Sequence, residues 1–231
     1  VDPVTSARFP ARNMLDSLCR RLEKKIPLGS RARNHAASTA ARDPLTGLPT
    51  RALLRDRLAG VVAQAQRDGK MAALLFLDLD RFRSVNELHG HSAGDALLRA
   101  AAKRISSCLR ASDSIARLGG DSFAIIVPAL EGTEAVESLA ARLRASLSRP
   151  FRVGGAEVQT TASIGIAVFS GEDGDPERLF NEAESALYQA KELGRDNHHY
   201  SITELTEATQ RRARLELDLR RAIAEGVIEL H

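Results

Sequence analysis

The chain has 231 residues, 43% hydrophobic and 27% charged, which is typical of one globular domain with flanking segments. Its net charge of +3 is too small to indicate nucleic-acid binding, and its seven Phe and two Tyr residues offer few rings to stack on bases. No apolar run approaches the length of a membrane span and no signal-peptide pattern occurs, so neither feature is predicted for this segment.

The first 42 residues lack a sustained hydrophobic pattern and are predicted to be a linker with helical segments. Residues Asn13–Ile26 have apolar side chains at helical spacing, which favours a linker helix or the end of an upstream domain over a membrane-surface helix. Since the chain begins at Val1 rather than Met, we expect a piece of a longer protein, whose missing part is a candidate for a membrane anchor. Cys19 and Cys108 are isolated, which favours unpaired thiols in a reducing cytoplasm over a disulfide.

From residue 43 onward, helical and strand patterns alternate. The near-continuous apolar run Met71–Asp80 predicts a central strand buried on both faces. Two hairpins are predicted, one over Ser114–Val127 with a Gly-Gly turn and one whose strands are Phe151–Val153 and Glu157–Val168. The other predicted elements are helices over Thr50–Arg67, Ala93–Leu109, Glu131–Leu147 and Pro176–Leu193, and a last strand over Asn197–Ser201. This interleaving predicts an α/β domain with a mixed, largely antiparallel sheet flanked by helices.

Two acidic strand ends carry the candidate chemistry. Asp121 follows the Gly-Gly pair of the first hairpin, so that turn presents a carboxylate beside backbone that phosphate oxygens can approach closely. Asp78 and Asp80 end the central strand and share one face by strand alternation, which puts Asp80 in position to assist Asp78. Hard cations such as Mg²⁺ prefer carboxylate and carbonyl oxygens, so these acids are candidate metal ligands. The alternative is that these acids only make the strand ends hydrophilic, as a lone Asp at a strand end commonly does.

These segments resemble the GGDEF family, the diguanylate cyclases that make cyclic di-GMP from two GTP molecules. The resemblance covers about residues 43–200 and includes several motifs in family order. They are Asp43–Pro49, Asp78–Phe82, Asn86, Gly90-His91 with Gly94-Asp95, the Gly119-Gly120 turn, and Ala186–Lys191 with Gly194-Arg195. The resemblance implies the palm-like fold of class III nucleotide cyclases and polymerase palms. It divides the chain into an N-terminal segment (1–42), a GGDEF domain (43–202) and a C-terminal segment (203–231).

The resemblance also implies a metal site and a guanine site. By similarity, Asp78, the backbone carbonyl of Leu79 and Asp121 hold Mg²⁺ or Mn²⁺. Asn86 and Asp95 align with the pair of residues that reads guanine, a base whose N1–H and N2–H₂ groups donate while its O6 accepts. The alternative role for Asn86 and Asp95 is helix capping.

Triphosphate contacts fall by similarity to Lys191 and Arg195 and to backbone N–H groups around Arg81 and Phe82. Taken alone, Lys191 would be interpreted as an ordinary surface lysine. Arg83 stands where the family usually has Lys, a substitution that keeps the charge but changes the geometry of the donors.

A second ligand site is implied by Arg110 and Asp113, which match the RxxD inhibitory site of the family. By similarity, Arg142 is the second arginine of that site. Guanidinium groups suit both phosphate and the Hoogsteen edge of guanine, so a cyclic di-GMP dimer is the expected ligand. The alternative is an exposed salt bridge between Arg110 and Asp113, worth under ~1 kcal/mol.

One departure from the family motif bears directly on catalysis. The family turn reads Gly-Gly-Asp/Glu-Glu-Phe, whereas Asp121 is followed here by Ser122. Serine is neither a base near neutral pH nor a strong Mg²⁺ ligand, and losing a charged catalytic contact commonly lowers the rate by about two orders of magnitude or more. The sequence therefore predicts nucleotide binding without efficient turnover.

Two functions remain open from the sequence. The domain is either a regulatory module that binds GTP or cyclic di-GMP and acts on an adjoining EAL phosphodiesterase domain, or a weak diguanylate cyclase. A cyclase must form a dimer in which each domain contributes one GTP, whereas a sensor need not. Residues Thr203–Gly226 are predicted to be a helix, and its end Leu219–Gly226 together with Ile228–His231 looks like the entry to an EAL domain. A GGDEF–EAL tandem is therefore the expected parent protein.

Overall fold

The structure is a computed structural model that describes residues 42–153, 155–169 and 175–201. The predicted linker helix Asn13–Ile26, Cys19 and the predicted C-terminal helix Thr203–Gly226 lie outside the described residues. Within the described part, Cys108 is a free thiol. None of the helices in that part is long and apolar enough to cross a membrane.

Helices and strands alternate along the described chain. The helices are α1 (Arg51–Asp68), α2 (Phe82–His89), α3 (His91–Cys108), α4 (Glu134–Leu147) and α5 (Pro176–Glu192). The strands are β1 (Met71–Leu79), β2 (Ser114–Gly119), β3 (Ser122–Leu130), β4 (Phe151–Val153), β5 (Ala156–Val158), β6 (Ala162–Phe169) and β7 (His198–Ser201). Each helix predicted for this part of the chain is present, with bounds that differ by only a few residues.

The main sheet has the strand order β2-β3-β1-β6-β7. Strand β1 is antiparallel to both β3 and β6, and β2 is antiparallel to β3, while β6 and β7 are parallel. Every residue of β1 from Ala72 to Leu79 is buried, which confirms the prediction of a central strand covered on both faces. The prediction of a mixed, largely antiparallel sheet flanked by helices is therefore confirmed.

Alternation along β1 assigns its side chains to two hydrophobic cores. Ala73, Leu75 and Leu77 pack in a core with residues of α3 and α4. Leu74 and Phe76 pack in a core with residues of α1 and α5. Since successive side chains of a strand point to opposite faces, Asp78 belongs to the face covered by α1 and α5.

Helix α2 was not predicted from the sequence. It begins shortly after β1 ends, and Val85 is its one fully buried residue. A helix of 8 residues is shorter than the windows of about 11–18 residues in which apolar periodicity is recognised in a sequence.

The second predicted hairpin is partly wrong. Strands β4 and β5 do form a hairpin, but as a separate two-stranded sheet, and the predicted strand Glu157–Val168 is broken into β5 and β6. The break lies at Thr160 and Thr161, whose hydroxyls donate to the backbone carbonyl and the carboxylate of Asp80, at 2.7 and 2.6 Å. These threonines satisfy polar groups beyond the end of β1, and β6 begins at the next residue.

Candidate functional site

The two predicted carboxylate ligands lie together at one end of the sheet. Asp78 is near the end of β1 and is paired in register with Ser122 of β3. Asp121 lies in the loop between β2 and β3, where the turn glycines Gly119 and Gly120 have φ of 134° and 53°. The backbone N–H of Leu79 donates to the backbone carbonyl of Asp121 at 3.4 Å, which holds the turn against the end of β1.

Lys191 is not the ordinary surface lysine that its sequence position allowed. It lies in the last turn of α5 and its ammonium group forms an ion pair with Oδ2 of Asp78. The other oxygen of Asp78, Oδ1, is buried and accepts no hydrogen bond from the described residues. A buried carboxylate oxygen without a donor is costly, so this atom fits a cation ligand better than a structural role.

Burial raises the pKa of Asp121 above its ordinary value, and the nearby Asp78 carboxylate raises it further, while Lys191 and Arg117 act in the opposite direction. Two neighbouring carboxylates that repel each other are the situation that a divalent cation relieves. Among the described residues no group of three or more His, Cys, Asp or Glu side chains is arranged to hold a metal. Two carboxylates plus a backbone carbonyl nonetheless fit Mg²⁺, which typically takes one or two protein carboxylates and completes its shell with water and phosphate oxygens.

Asp80 does not assist this site in the way that its alternation with Asp78 suggested. Its carboxylate is buried and accepts hydrogen bonds from the hydroxyls of Thr161 and Ser163, at 2.6 and 2.7 Å, and from the backbone N–H of Asp196, at 3.0 Å. Both oxygens of Asp80 are thus engaged with protein donors. The structure gives Asp80 a structural role between β1, β6 and the segment after α5.

The predicted guanine-reading pair lies on α2 and α3, on either side of Gly90. Asn86 is inside α2 and Asp95 is inside α3, whose N-cap is Gly90 without a side-chain cap, so neither residue performs the alternative capping role. Neither side chain forms a hydrogen bond or ion pair with another described residue. Helix α3 approaches Asn86 closely, because a Cβ atom added to Gly94 would lie 1.9 Å from Asn86 Oδ1.

The residues predicted to contact triphosphate lie at two helix ends near the carboxylates. Arg81 is the N-cap of α2 with φ 56°, and Phe82 begins the helix, so the first N–H groups of α2 are free of intrahelical partners. Arg83 is exposed and pairs with Glu87 at 2.9 Å on the surface of α2. Arg195 follows α5 in the left-handed region, with φ 63°, and its side chain is exposed.

Arg110 and Asp113, which are predicted to belong to the inhibitory site, are joined by a hydrogen bond from backbone to side chain and not by the alternative salt bridge. Oδ2 of Asp113 accepts the backbone N–H of Arg110 at 2.8 Å, which closes the turn after α3 and leaves the guanidinium of Arg110 exposed. Arg142 of α4 donates to the backbone carbonyl of Cys108 at 3.2 Å. That contact brings Arg142 beside the turn that carries Arg110.

A buried ion pair that the sequence analysis did not assign holds the Asp121 turn in place. The guanidinium of Arg117 donates to both carboxylate oxygens of Asp43 at 2.9 Å and to the carbonyl of Gly120 at 2.6 and 3.2 Å. Asp43 also accepts the backbone N–H and hydroxyl of Thr46, at 2.8 and 2.6 Å. Asp43 is the first residue of one of the family motifs, and this was the only indication in the sequence that it has a role. Nothing in the sequence indicated that its partner is Arg117 on β2.

The Asp43 pair predicts a pH dependence of folding. Burial alone would raise the pKa of Asp43, but hydrogen bonds from Thr46 and Arg117 outweigh it and lower the pKa below its ordinary value. A lowered folded-state pKa means that the ionised carboxylate stabilises the fold above the unfolded pKa of about 4, and that this contribution is lost as pH falls through the folded-state value.

We expect Asp43→Asn to lower the free energy of unfolding by about 2 kcal/mol at pH 7. The difference between parent and variant should shrink below about pH 4. Urea unfolding of both proteins from pH 7 to pH 3 measures this difference. A difference that stays constant down to pH 3 would show that the charge of Asp43 is not what stabilises the fold.

Comparisons with known proteins identify the family of this chain. The sequence model of the family described as "Diguanylate cyclase, GGDEF domain" matches residues 40–197. The bifunctional diguanylate cyclase/cyclic di-GMP phosphodiesterase MucR of Pseudomonas aeruginosa is 40% identical over 202 residues, which are 87% of this chain and 29% of that protein. Diguanylate cyclase DgcP of the same organism is 44% identical over 158 residues, 68% of this chain and 23% of that protein.

Among solved structures, the GGDEF domain of TpbB from Pseudomonas aeruginosa superposes with a TM-score of 0.68 at 37% identity, covering 70% of this chain and 94% of that one. The chain spans less than a third of the length of the two curated relatives. A family match over more than half of the chain, with relatives at this level of identity, shows that the chain belongs to the GGDEF domain family.

Proposed function

We propose that this GGDEF domain is a regulatory module of cyclic di-GMP signalling with impaired catalysis. It binds GTP with a divalent cation at the Asp78–Asp121 end of the sheet, or cyclic di-GMP at Arg110, Asp113 and Arg142. Through this binding it regulates an adjoining EAL phosphodiesterase domain. The observation that carries the proposal is the buried, unpartnered Oδ1 of Asp78, which lies in a strand position directly paired with Ser122.

The residues present are suited to hold a magnesium-bound guanosine nucleotide. Asp78, the carbonyl of Leu79 and Asp121 hold the cation, which when bound neutralises triphosphate charge and polarises the α-phosphorus. Asn86 and Asp95 offer the amide and carboxylate that complement guanine, and neither is occupied by another described residue. The cation ligands come from the end of the sheet, whereas the guanine-binding pair comes from α2 and α3, which pack in the same hydrophobic core on one face of the sheet.

Ser122 is the reason to expect impaired turnover. Residues that pair directly across two antiparallel strands place their side chains on the same face, so the family glutamate would enter beside Asp78. A serine at this position supplies no negative charge and no base near neutral pH. The nucleotide-holding groups are retained while this part of the catalytic turn is missing.

The regulatory partner is inferred from the sequence and from a relative. The residues after 202 resemble the linker and entry of an EAL domain, and MucR is named as both a cyclase and a phosphodiesterase. A nucleotide-binding domain without turnover is useful next to a phosphodiesterase because its occupancy reports the level of GTP or of cyclic di-GMP.

The alternative is a weak diguanylate cyclase. It is favoured by the retention of Asp78, Asp121 and Lys191 in one cluster. The relative DgcP is named as a diguanylate cyclase. In this alternative, water or substrate takes the proton of the 3′-hydroxyl, and two copies of the domain must face each other.

The test uses the chain with α-labelled GTP and Mg²⁺, together with calorimetric titration of GTP and of cyclic di-GMP. We expect no turnover beyond trace product, and micromolar binding of GTP that Asp95→Ala abolishes. Arg110→Ala is the matched control, because it should weaken cyclic di-GMP binding and leave GTP binding unchanged. Sustained product formation by the parent chain would contradict the proposal of a regulatory module and would support the weak diguanylate cyclase. No heat with either nucleotide would contradict both.

The close approach of α3 to Asn86 yields a further prediction. Gly94→Ala places a methyl group where Asn86 Oδ1 now lies, so the amide must move and GTP affinity should fall by about tenfold. Gly60→Ala on α1 is the matched control, because a Cβ there meets no atom within 4 Å. The control should raise stability by about 0.5–1 kcal/mol through helix propensity and leave affinity unchanged. Calorimetry and thermal melts measure both effects, and equal GTP affinity in the two variants would contradict the role of Asn86.

A further inference from the structure

The segment between α5 and β7, residues 193–197, has an unusual backbone conformation. Gly194, Arg195 and Asp196 have φ of 110°, 63° and 45° in succession. Positive φ is strained for residues with a Cβ, so two such residues in a row persist only where surrounding contacts hold them. This α5–β7 loop begins two residues after Lys191 and contains Arg195. The family resemblance implies that the side chains of Lys191 and Arg195 contact triphosphate.

The contacts that hold the α5–β7 loop converge on Asp196. From the sheet side, the carboxylate of Asp80 accepts its backbone N–H at 3.0 Å. From α4, the guanidinium of Arg144 contacts its backbone carbonyl and lies 3.3 Å from its carboxylate. The Arg144 contact is partly exposed, whereas Asp80 is only 5% exposed, so Asp80 is the better shielded of the two anchors.

Asp80 is itself rigidly held. Its two oxygens accept the hydroxyls of Thr161 and Ser163, and its own backbone N–H donates to the carbonyl of Thr161 at 2.9 Å. Ser163 is fully buried and pairs in register with Asp78 on β1. The acceptor for the Asp196 amide is therefore fixed relative to the strand end that carries the candidate cation ligand.

We propose that Asp80 is a positioning residue for the triphosphate. By anchoring the α5–β7 loop to the end of β1, it fixes the distance between Asp78 and the cationic groups of Lys191 and Arg195. This inference rests on the proposed function and on the family resemblance, by which those two side chains contact the triphosphate, and it assigns them to the β- and γ-phosphates. Asp80 then contributes to the preference for GTP over GMP, which lacks these phosphates, without touching the nucleotide itself.

The preference is measured as the ratio of GTP to GMP affinity, by calorimetry with Mg²⁺ on the 231-residue chain. Asp80→Ser is too short to keep the hydrogen bonds that Oδ2 of Asp80 accepts from the Asp196 amide and from the Thr161 hydroxyl. It should lower this ratio by about tenfold. Asp80→Asn retains an acceptor and should keep the ratio within about twofold of the parent value. If Asp80→Ser does not fold, Asp80→Thr replaces it, because it fills more of the space left by the carboxylate.

Thr161→Val is the matched control, because it removes a hydrogen bond to the same carboxylate and leaves the Asp196 bond in place. Its ratio of GTP to GMP affinity should equal that of the parent. A fall as large as in Asp80→Ser would contradict the positioning role of Asp80 and would show a general loss of stability instead. Hydrogen exchange of the Asp196 amide, followed by NMR without nucleotide, should be faster in Asp80→Ser only.

The two ways of failing are distinguishable. A parent chain that prefers GTP while Asp80→Ser keeps the same ratio overturns the role of Asp80 and leaves the proposed function standing. A parent chain that binds neither GTP nor cyclic di-GMP overturns the proposed function, and the role of Asp80 with it. A parent chain that binds cyclic di-GMP but no GTP overturns the role of Asp80 alone.

Discussion

Ser122→Glu should raise the rate of cyclic di-GMP formation from GTP by about two orders of magnitude. The new carboxylate would enter on the face that carries Asp78, because residues 122 and 78 pair directly across β3 and β1. There it would add negative charge beside the bound cation and accept a proton from the attacking hydroxyl. The initial rate with α-labelled GTP and Mg²⁺ measures this effect, at several protein concentrations because two domains must meet.

The control for this change is Ser122→Gln, which has the length of glutamate without its charge. Its rate should stay at the level of the parent chain. A third carboxylate beside Asp78 and Asp121 should also lower the melting temperature of the metal-free domain, and Mg²⁺ should restore it, since like charges repel in the absence of the cation. A glutamate variant no faster than the glutamine variant would show that the impairment does not arise from Ser122.

Arg117→Met should lower the free energy of unfolding by about 3 kcal/mol, because it leaves the carboxylate of Asp43 buried without its cation. The side chains of Arg117 and Asp43 are only 11% and 16% exposed, so water compensates little of this loss. The change also removes both hydrogen bonds to the carbonyl of Gly120. The turn that carries Asp121 then loses its side-chain attachment to Asp43, although the backbone N–H of residue 117 still donates to the carbonyl of Pro49.

Urea unfolding measures the loss of stability, and Lys70→Met is the matched control. Lys70 pairs with Glu131 at 3.6 Å, but the two side chains are 43% and 87% exposed, so this variant should differ from the parent by under about 1 kcal/mol. Titration with Mn²⁺ tests the turn separately, because a displaced Asp121 should weaken cation affinity by about tenfold in Arg117→Met alone. Unchanged cation affinity in that variant would mean that Arg117 supports stability without positioning Asp121.

The fold follows from local patterns that the sequence displays strongly. The apolar run Met71–Asp80 identifies the central strand, and the Gly119-Gly120 turn between apolar segments identifies the first hairpin. Errors arose where local pattern is weak or where a distant residue decides. Helix α2 has only eight residues, too few for a sustained apolar pattern. The break before β6 lies where Thr161 donates to Asp80, which is far from it in the sequence.

Prediction of the candidate site also succeeded where the pattern is local and failed where distant residues decide. The motifs around Asp78 and Asp121 were visible because they join acidic strand ends to a glycine turn, and both were predicted as cation ligands. Asp80 was misread, since strand alternation indicates only which face a side chain occupies and not which donors meet it there.

The sequence by itself determined the family, the order of the elements apart from α2 and the break between β5 and β6, and the residue types that a guanosine nucleotide would need. Only the tertiary structure decided how these residues are divided between holding the nucleotide and holding the fold. Lys191 pairs with Asp78, Arg117 pairs with Asp43, and Asp80 accepts the Asp196 amide. Each of these contacts joins residues far apart in the chain. Their strength depends on burial and on the geometry of packed strands and helices, neither of which is encoded in local sequence pattern.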